Sequence, residues 1–205
     1  MSKSKGNTVS PDEFIENYGS DTFRAYLMFM GPFDEGGDWN DKGITGIYRF
    51  LGKVWRLCIN IDESDTLGKD DKIIINKTIK GVTDDLGSMK FNTAISKLME
   101  YINNFSGRKE VHRDVKYALV DLLSPIAPHL CEEIWSELGN SSSIFKKNWL
   151  SYDENFIVDE TITVVVQVNG KVRGKIDIEN DAGKDKVLLL EQKSRNTVHL
   201  VVKEN

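Results

Sequence analysis

The chain has 205 residues, of which 40% are hydrophobic and 29% charged, with 4 prolines and a formal net charge of −5. That length and apolar content suffice for a buried core and exclude a wholly disordered chain. No apolar run approaches the ~18 residues of a membrane span, and the negative balance argues against a general nucleic-acid glue. Cys58 and Cys131 each fall in an apolar periodic stretch. They read as reduced core thiols of a cytoplasmic protein, not as a disulfide framework. The histidines at 112, 129 and 199 have no close Cys/His spacing, so no metal site is expected. Charge is uneven along the chain. Residues 161–205 carry 8 Lys/Arg against 6 Asp/Glu, whereas residues 1–160 carry 19 against 26. The last quarter is locally basic on an acidic body.

Ser10-Pro11-Asp12-Glu13 predicts a helix start, with Ser10 as cap, Pro11 at the first helical position and Glu13 closing a capping box. Gly19 ends that helix, and Ser20-Asp21 opens a second that runs to Gly31-Pro32. A polar loop containing Trp39 follows. Residues 43–61 predict a long helix with Ile44, Ile47, Tyr48, Leu51, Val54, Trp55 and Cys58 on one apolar face. The acidic stretch 62–72 reads as a loop. Further helical patterns use Ile75, Ile79, Val82 and Leu86, then Phe91, Ala94, Ile95, Leu98, Ile102 and Phe105. The next uses Val115, Ala118, Leu119 and Leu122 up to Ser124-Pro125. Pro128 opens the last, with Leu130, Cys131, Ile134 and Leu138, ended by Gly139. Short links between successive amphipathic helices predict an antiparallel bundle.

Residues 140–159 read as a linker, after which the period changes. Thr161–Val168 is rich in β-branched residues, and Asn169-Gly170 is a strong hairpin signal. Lys171 to Ile178 alternates, with Val172, Gly174, Ile176 and Ile178 on one face and Lys171, Arg173, Lys175 and Asp177 on the other. The expected fold is mainly α: a helical bundle followed by a small α+β domain with a β-hairpin.

Three features could meet a polyanion. Met1-Ser2-Lys3-Ser4-Lys5-Gly6-Asn7 combines lysines and hydroxyls that suit polyphosphate, although such strings also occur at ordinary solvated termini. Arg49, Lys53 and Arg56 lie at i, i+4 and i+7, either the wet side of an amphipathic helix or a row of phosphate contacts. Lys171, Arg173 and Lys175, two residues apart on a strand, suit either phosphate contact or protection of a sheet edge by charge. His129, at a helix start, reads as a packing or capping residue, because no nucleophile or paired carboxylate accompanies it. The four tryptophans read as core anchors, not as a base-stacking platform.

Met1-Ser2-Lys3-Ser4 resembles the end of the Lys-Met-Ser-Lys-Ser signature of class I aminoacyl-tRNA synthetases. Lys5-Gly6-Asn7, Pro11-Asp12 and Tyr18-Gly19-Ser20-Asp21-Thr22-Phe23-Arg24 follow in that family's order, as does the stretch Tyr48 to Leu57. Phe91-Asn92-Thr93-Ala94-Ile95 and Ser124-Pro125-Ile126-Ala127-Pro128-His129 are similar to the class I anticodon-binding bundle. The stretch Val164 to Lys175 is similar to the bacterial-type leucyl branch. The resemblance covers residues 1 to about 180 and implies a tRNA-binding C-terminal portion of a ligase that joins leucine to its tRNA with ATP. It implies the end of a catalytic region over 1–42, the bundle over 43–150 and a small tRNA-binding domain over 160–205. Met1, Ser2, Lys3 and Ser4 would belong to an ATP-binding loop, with Lys3 the catalytic cation that neutralises charge on the leaving pyrophosphate.

Magnesium-bound ATP is then expected in the whole enzyme, with no tightly bound cofactor in this portion. The expected partners are the leucine tRNA and an N-terminal half carrying the nucleotide-binding and editing domains, with no membrane and no DNA. A split subunit, a designed piece and a misplaced start all fit a chain that begins inside the signature. Two other readings stay open: a portion of the valyl, isoleucyl or methionyl relatives, and a protein-interaction module with a degenerate RNA surface. Arg195 to Lys203 reads as the penultimate strand of a shortened final domain.

Overall fold

In the computed structural model, residues 10–37 and 39–157 are described in full, and the backbone is described for 161–168, 171–179 and 198–202. The chain divides into two units, residues 1–153 and 154–205.

Ser10 caps α1 (Pro11–Tyr18), and its hydroxyl accepts from the Asp12 amide at 3.4 Å. The Ser10 hydroxyl also donates to the Asp12 carboxylate, so the cap runs through Asp12 and not through the expected box with Glu13. Gly19 turns the chain at φ +85° and ψ 155°, a conformation essentially confined to glycine. Without that turn α2 (Ser20–Phe29) could not fold back beside α1.

α3 (Ile44–Ile59) follows the loop that holds Trp39. Its buried face is Ile44, Ile47, Phe50, Leu51, Val54, Leu57 and Cys58. The face is rotated from the expected one: Phe50 and Leu57 are inside, whereas Tyr48 is 53% exposed. The apolar arc of this helix spans more residues than its neighbours can cover, so packing decides which edge stays wet.

The stretch 62–72, expected as loop, contains β1 (Asp62–Ser64) and the first turn of α4 (Lys69–Gly87). β1 pairs in parallel with β2 (Glu110–His112), which follows α5 (Phe91–Phe105). Neither strand carries a period-2 pattern long enough to read. Their pairing is imposed by the helices that bring them together, with Val111 buried and Lys116 donating to the Ile61 carbonyl at 2.7 Å. α4 ends in a Schellman turn: Lys90 donates to the Asp85 carbonyl and Met89 to that of Leu86. Met89 takes the left-handed position, at φ 57°, that glycine usually fills.

α6 (Arg113–Leu123) is the central helix. Val115, Ala118, Leu119, Val120, Leu122 and Leu123 are all buried, and so are Lys116 and Asp121. α7 (Pro128–Glu137) buries Cys131, Ile134 and Trp135. The core is completed by α5, whose Leu98, Tyr101 and Phe105 are fully enclosed.

Residues 140–153, expected as part of a linker, are fastened to the bundle. Ile144 is buried, and its amide donates to Glu132 at 3.0 Å. Lys147 pairs with Asp121 at 2.6 Å, Trp149 donates to the Thr83 hydroxyl at 2.9 Å, and the Asp153 amide donates to Asn76 at 2.7 Å. These partners are 12 to 77 residues away, beyond any local pattern.

In the second unit, β3 (Thr161–Val168) is the middle strand of an antiparallel sheet, between β4 (Lys171–Glu179) and β5 (Val198–Val202). β5 falls within the stretch read as a strand. The register of β3 and β4 shifts between Val166 and Gln167, which oppose Gly174 and Val172. Arg173 is the extra residue of a bulge, so the strict two-residue period expected across Lys171 to Ile178 is interrupted there.

Candidate RNA-binding surface

Arg49, Lys53 and Arg56 stand on one exposed side of α3, as their spacing predicts. Among the described residues none of the three forms an ion pair, whereas Lys80, Lys97, Arg108, Lys116 and Lys147 all do. An acidic chain that leaves three neighbouring cations unpaired on one helix presents a local positive stripe.

Arg49 separates two hollows. On one side lies a cleft of about 470 Å³, lined by Tyr18, Gly19, Asp21, Thr22, Tyr48, Leu51, Gly52, Trp55, Arg56 and Leu130 as well as Arg49. On the other is a hollow of about 300 Å³, formed with Gly46, Phe50, Lys53, Met99, Ile102 and Asn103. The rings of Tyr18 and Tyr48 meet edge to face at 5.7 Å. Trp135 lies in the core and Trp39 and Trp55 are partly buried against it, as the sequence suggests, although Trp55 also lines the first cleft; Trp149 is 43% exposed.

Two residues of α2 fasten the helices beside the larger cleft, and Asp21 is one of its lining residues. Asp21 is buried and uses both carboxylate oxygens across the bundle. One accepts from the Leu130 amide at 2.7 Å, and the other meets His129 Nδ1 at 2.8 Å. Leu130 is the third residue of α7, so Asp21 supplies from another helix the cap that Ala127 cannot. Its negative charge sits at the positive end of that helix. Arg24 donates to the carbonyls of Pro125 and Ile126, at the end of α6. A single turn of α2 thus holds both sides of the α6–α7 connection, and His129 belongs to this clamp.

Met1, Ser2, Lys3 and Ser4 lie outside the described residues. Lys171, Arg173 and Lys175 belong to β4, where Lys171 opposes Val168 and Lys175 opposes Val165. Their side chains lie outside the described residues. Among the described residues no group of three His, Cys, Asp or Glu could hold a metal ion, and no helix is long and apolar enough to cross a membrane. Burial pushes the Cys58 thiol up to about 12, with Lys116 opposing the shift, and raises Cys131 well above its usual value. Neither is a nucleophile at neutral pH.

The first unit is thus a helical bundle whose α3 carries a basic stripe, without ion pairs among the described residues, beside two hollows lined in part by aromatic residues. The family described as "Anticodon-binding domain of tRNA ligase" matches residues 74–188, more than half of the chain, and the chain belongs to that family. The match begins inside α4, so α3 precedes it. A wider likeness includes α3. The crystal structure of the ternary complex of Agrobacterium radiobacter K84 agnB2 LeuRS with tRNA and LeuAMS is similar over 100% of this chain, with 26% identity and a TM-score of 0.76. The chain spans 32% of that protein's chain.

Proposed function

We propose that this chain is the tRNA-docking portion of a leucine–tRNA ligase, and that the stripe Arg49, Lys53 and Arg56 contacts the tRNA backbone. The observation that carries the reading is the unpaired state of these cations on a bundle of the tRNA-ligase family. The leucine assignment is supported by the similar structure of a LeuRS and by the Val164 to Lys175 stretch. In the whole enzyme, working in the cytoplasm, leucine is activated with magnesium-bound ATP on an N-terminal catalytic half and then passed to its tRNA. Lys3, within Met1 to Ser4, contributes positive charge to the ATP phosphates. Lys171, Arg173 and Lys175 extend the RNA contact from the second unit. This chain by itself docks RNA and catalyses no leucine-dependent ATP–pyrophosphate exchange.

The test is binding of a leucine tRNA transcript to the 205-residue chain across a salt series. Affinity should fall linearly in log salt, with roughly 0.7–0.9 ions released per phosphate contact. Arg49→Glu, Lys53→Glu and Arg56→Glu should each weaken binding and lower that slope by about one contact. Binding a valine tRNA equally well would remove the leucine assignment. No binding at low salt would remove the docking function.

A further inference from the structure

The segment that precedes α3 is poorly enclosed for its composition. α1 buries none of its residues, and α2 buries only Asp21, Thr22, Ala25 and Tyr26. Ile15 of α1 is exposed, Leu27 of α2 is 46% exposed, and Phe33, in the loop after α2, is 64% exposed. Leu27 and Phe33 meet in one hollow of about 200 Å³. Its other lining side chains are those of Met28, Met30, Pro32 and Phe91, and the rest of the lining is glycine. No polar side chain lines it, unlike the two hollows beside Arg49.

The loop is built to hold this shape. The Gly36 amide donates to the Pro32 carbonyl at 2.9 Å, and a Cβ at Gly31 would collide with the Gly36 carbonyl. The Phe33 ring meets that of Phe91 edge to face at 5.7 Å. The two thioethers of the lining adapt to the outline of an incoming group. A hollow without hydrogen-bonding side chains takes an apolar group, because a polar one would lose its water there without compensation. Bulky apolar side chains left together in water mark a surface for another protein.

The charge beside the hollow narrows the occupant. Asp34 and Glu35 follow Phe33, both exposed, and among the described residues neither forms an ion pair. Two free carboxylates repel phosphate, so RNA does not fit. In a two-fold dimer the same carboxylates would face each other, so a second copy does not fit either. The fitting partner is a protein surface that inserts one bulky apolar side chain with lysine or arginine around it. The rest of a ligase is such a partner by length: this chain spans 32% of the similar LeuRS chain. The match to the anticodon-binding family begins at residue 74 and takes in only Phe91 of the hollow.

We propose that this hollow is where the catalytic half of the ligase docks, with one apolar side chain seated against Phe33 and basic residues beside Asp34 and Glu35. The contact presupposes the ligase reading and uses none of the residues of the Arg49 stripe.

The experiment measures binding of the 205-residue chain to the separately expressed catalytic half of the same ligase by surface plasmon resonance, and by NMR of 13C-labelled methionine methyls. The wild type should bind and shift the Met28 and Met30 signals. Phe33→Ala should weaken binding about tenfold or more while its thermal midpoint and its affinity for a leucine tRNA transcript stay those of the wild type. Asp34→Lys with Glu35→Lys should slow association and remove its acceleration at low salt. If the catalytic half binds Phe33→Ala as tightly as the wild type, or binds without shifting those methyls, the hollow is not the contact. If the catalytic half does not bind while the tRNA transcript does, the contact is refuted and the docking reading stands. If neither binds, both fall.

Discussion

Asp21→Ala tests the clamp between α2 and the α6–α7 connection. The substitution removes the acceptor for the Leu130 amide at 2.7 Å and for His129 Nδ1 at 2.8 Å. Loss of a helix cap costs roughly 0.5–2 kcal/mol, and a hydrogen bond to a charged group contributes about 1.5–3 kcal/mol. The Leu130 bond lies toward the upper part of that range, because the Asp21 side chain is 11% exposed. The His129 bond contributes less, since that ring is 76% exposed and can hydrogen-bond to water. Together they predict a loss of about 3 kcal/mol, or a fall in midpoint of about 6–12 °C for a unit of this size. Asp21→Asn keeps an oxygen for the Leu130 amide but loses the charge at the helix end, so it should lose about half as much. Urea unfolding read by tryptophan fluorescence reports the first unit by itself, because Trp39, Trp55, Trp135 and Trp149 all lie within residues 1–153. A loss below about 0.5 kcal/mol for Asp21→Ala, or an Asn variant as damaged as the Ala variant, would refute the capping argument.

Three further outcomes follow from other contacts. Burial raises the Asp121 carboxyl above 3.8 even though Lys147 opposes the shift. Folding therefore takes up a proton in the window above 3.8, and stability from this group declines as pH rises through it. Lys147→Met leaves that buried charge unpaired and should cost about 2 kcal/mol at pH 7, with the deficit closing below pH 3.8; urea midpoints across pH check this, and a deficit independent of pH would refute it. Met89→Gly relieves a left-handed backbone at the end of α4 and should stabilise by about 0.5–1 kcal/mol in the same assay, with any loss counting against the strain. Cys58 and Cys131 should resist iodoacetamide at pH 8 in the native chain and alkylate in urea, as read by mass; native labelling at the rate of a free thiol would contradict their burial.

Local chemistry in the sequence was enough for the helices, for the Ser10-Pro11 and Gly19 boundaries, for the two paired strands about Asn169-Gly170 and for the row Arg49, Lys53 and Arg56. A period of 3.6 or 2 and a cap are properties of neighbouring residues, so they survive whatever the rest of the chain does. The cleft beside that row was not legible. Tyr48 and Trp55 extend an apolar arc that reads as core, and only the packing of Phe50 and Leu57 inward shows which edge remains outside. Tertiary structure also decided the pairing of β1 with β2, the burial of Lys116, the fastening of residues 140–153 and the capping of α7 by a carboxylate 109 residues earlier in the chain. Each of these depends on which faces meet across long stretches of chain. Hydrophobic burial is non-directional and roughly proportional to area, so an apolar stripe specifies that a face is covered but not which residues cover it.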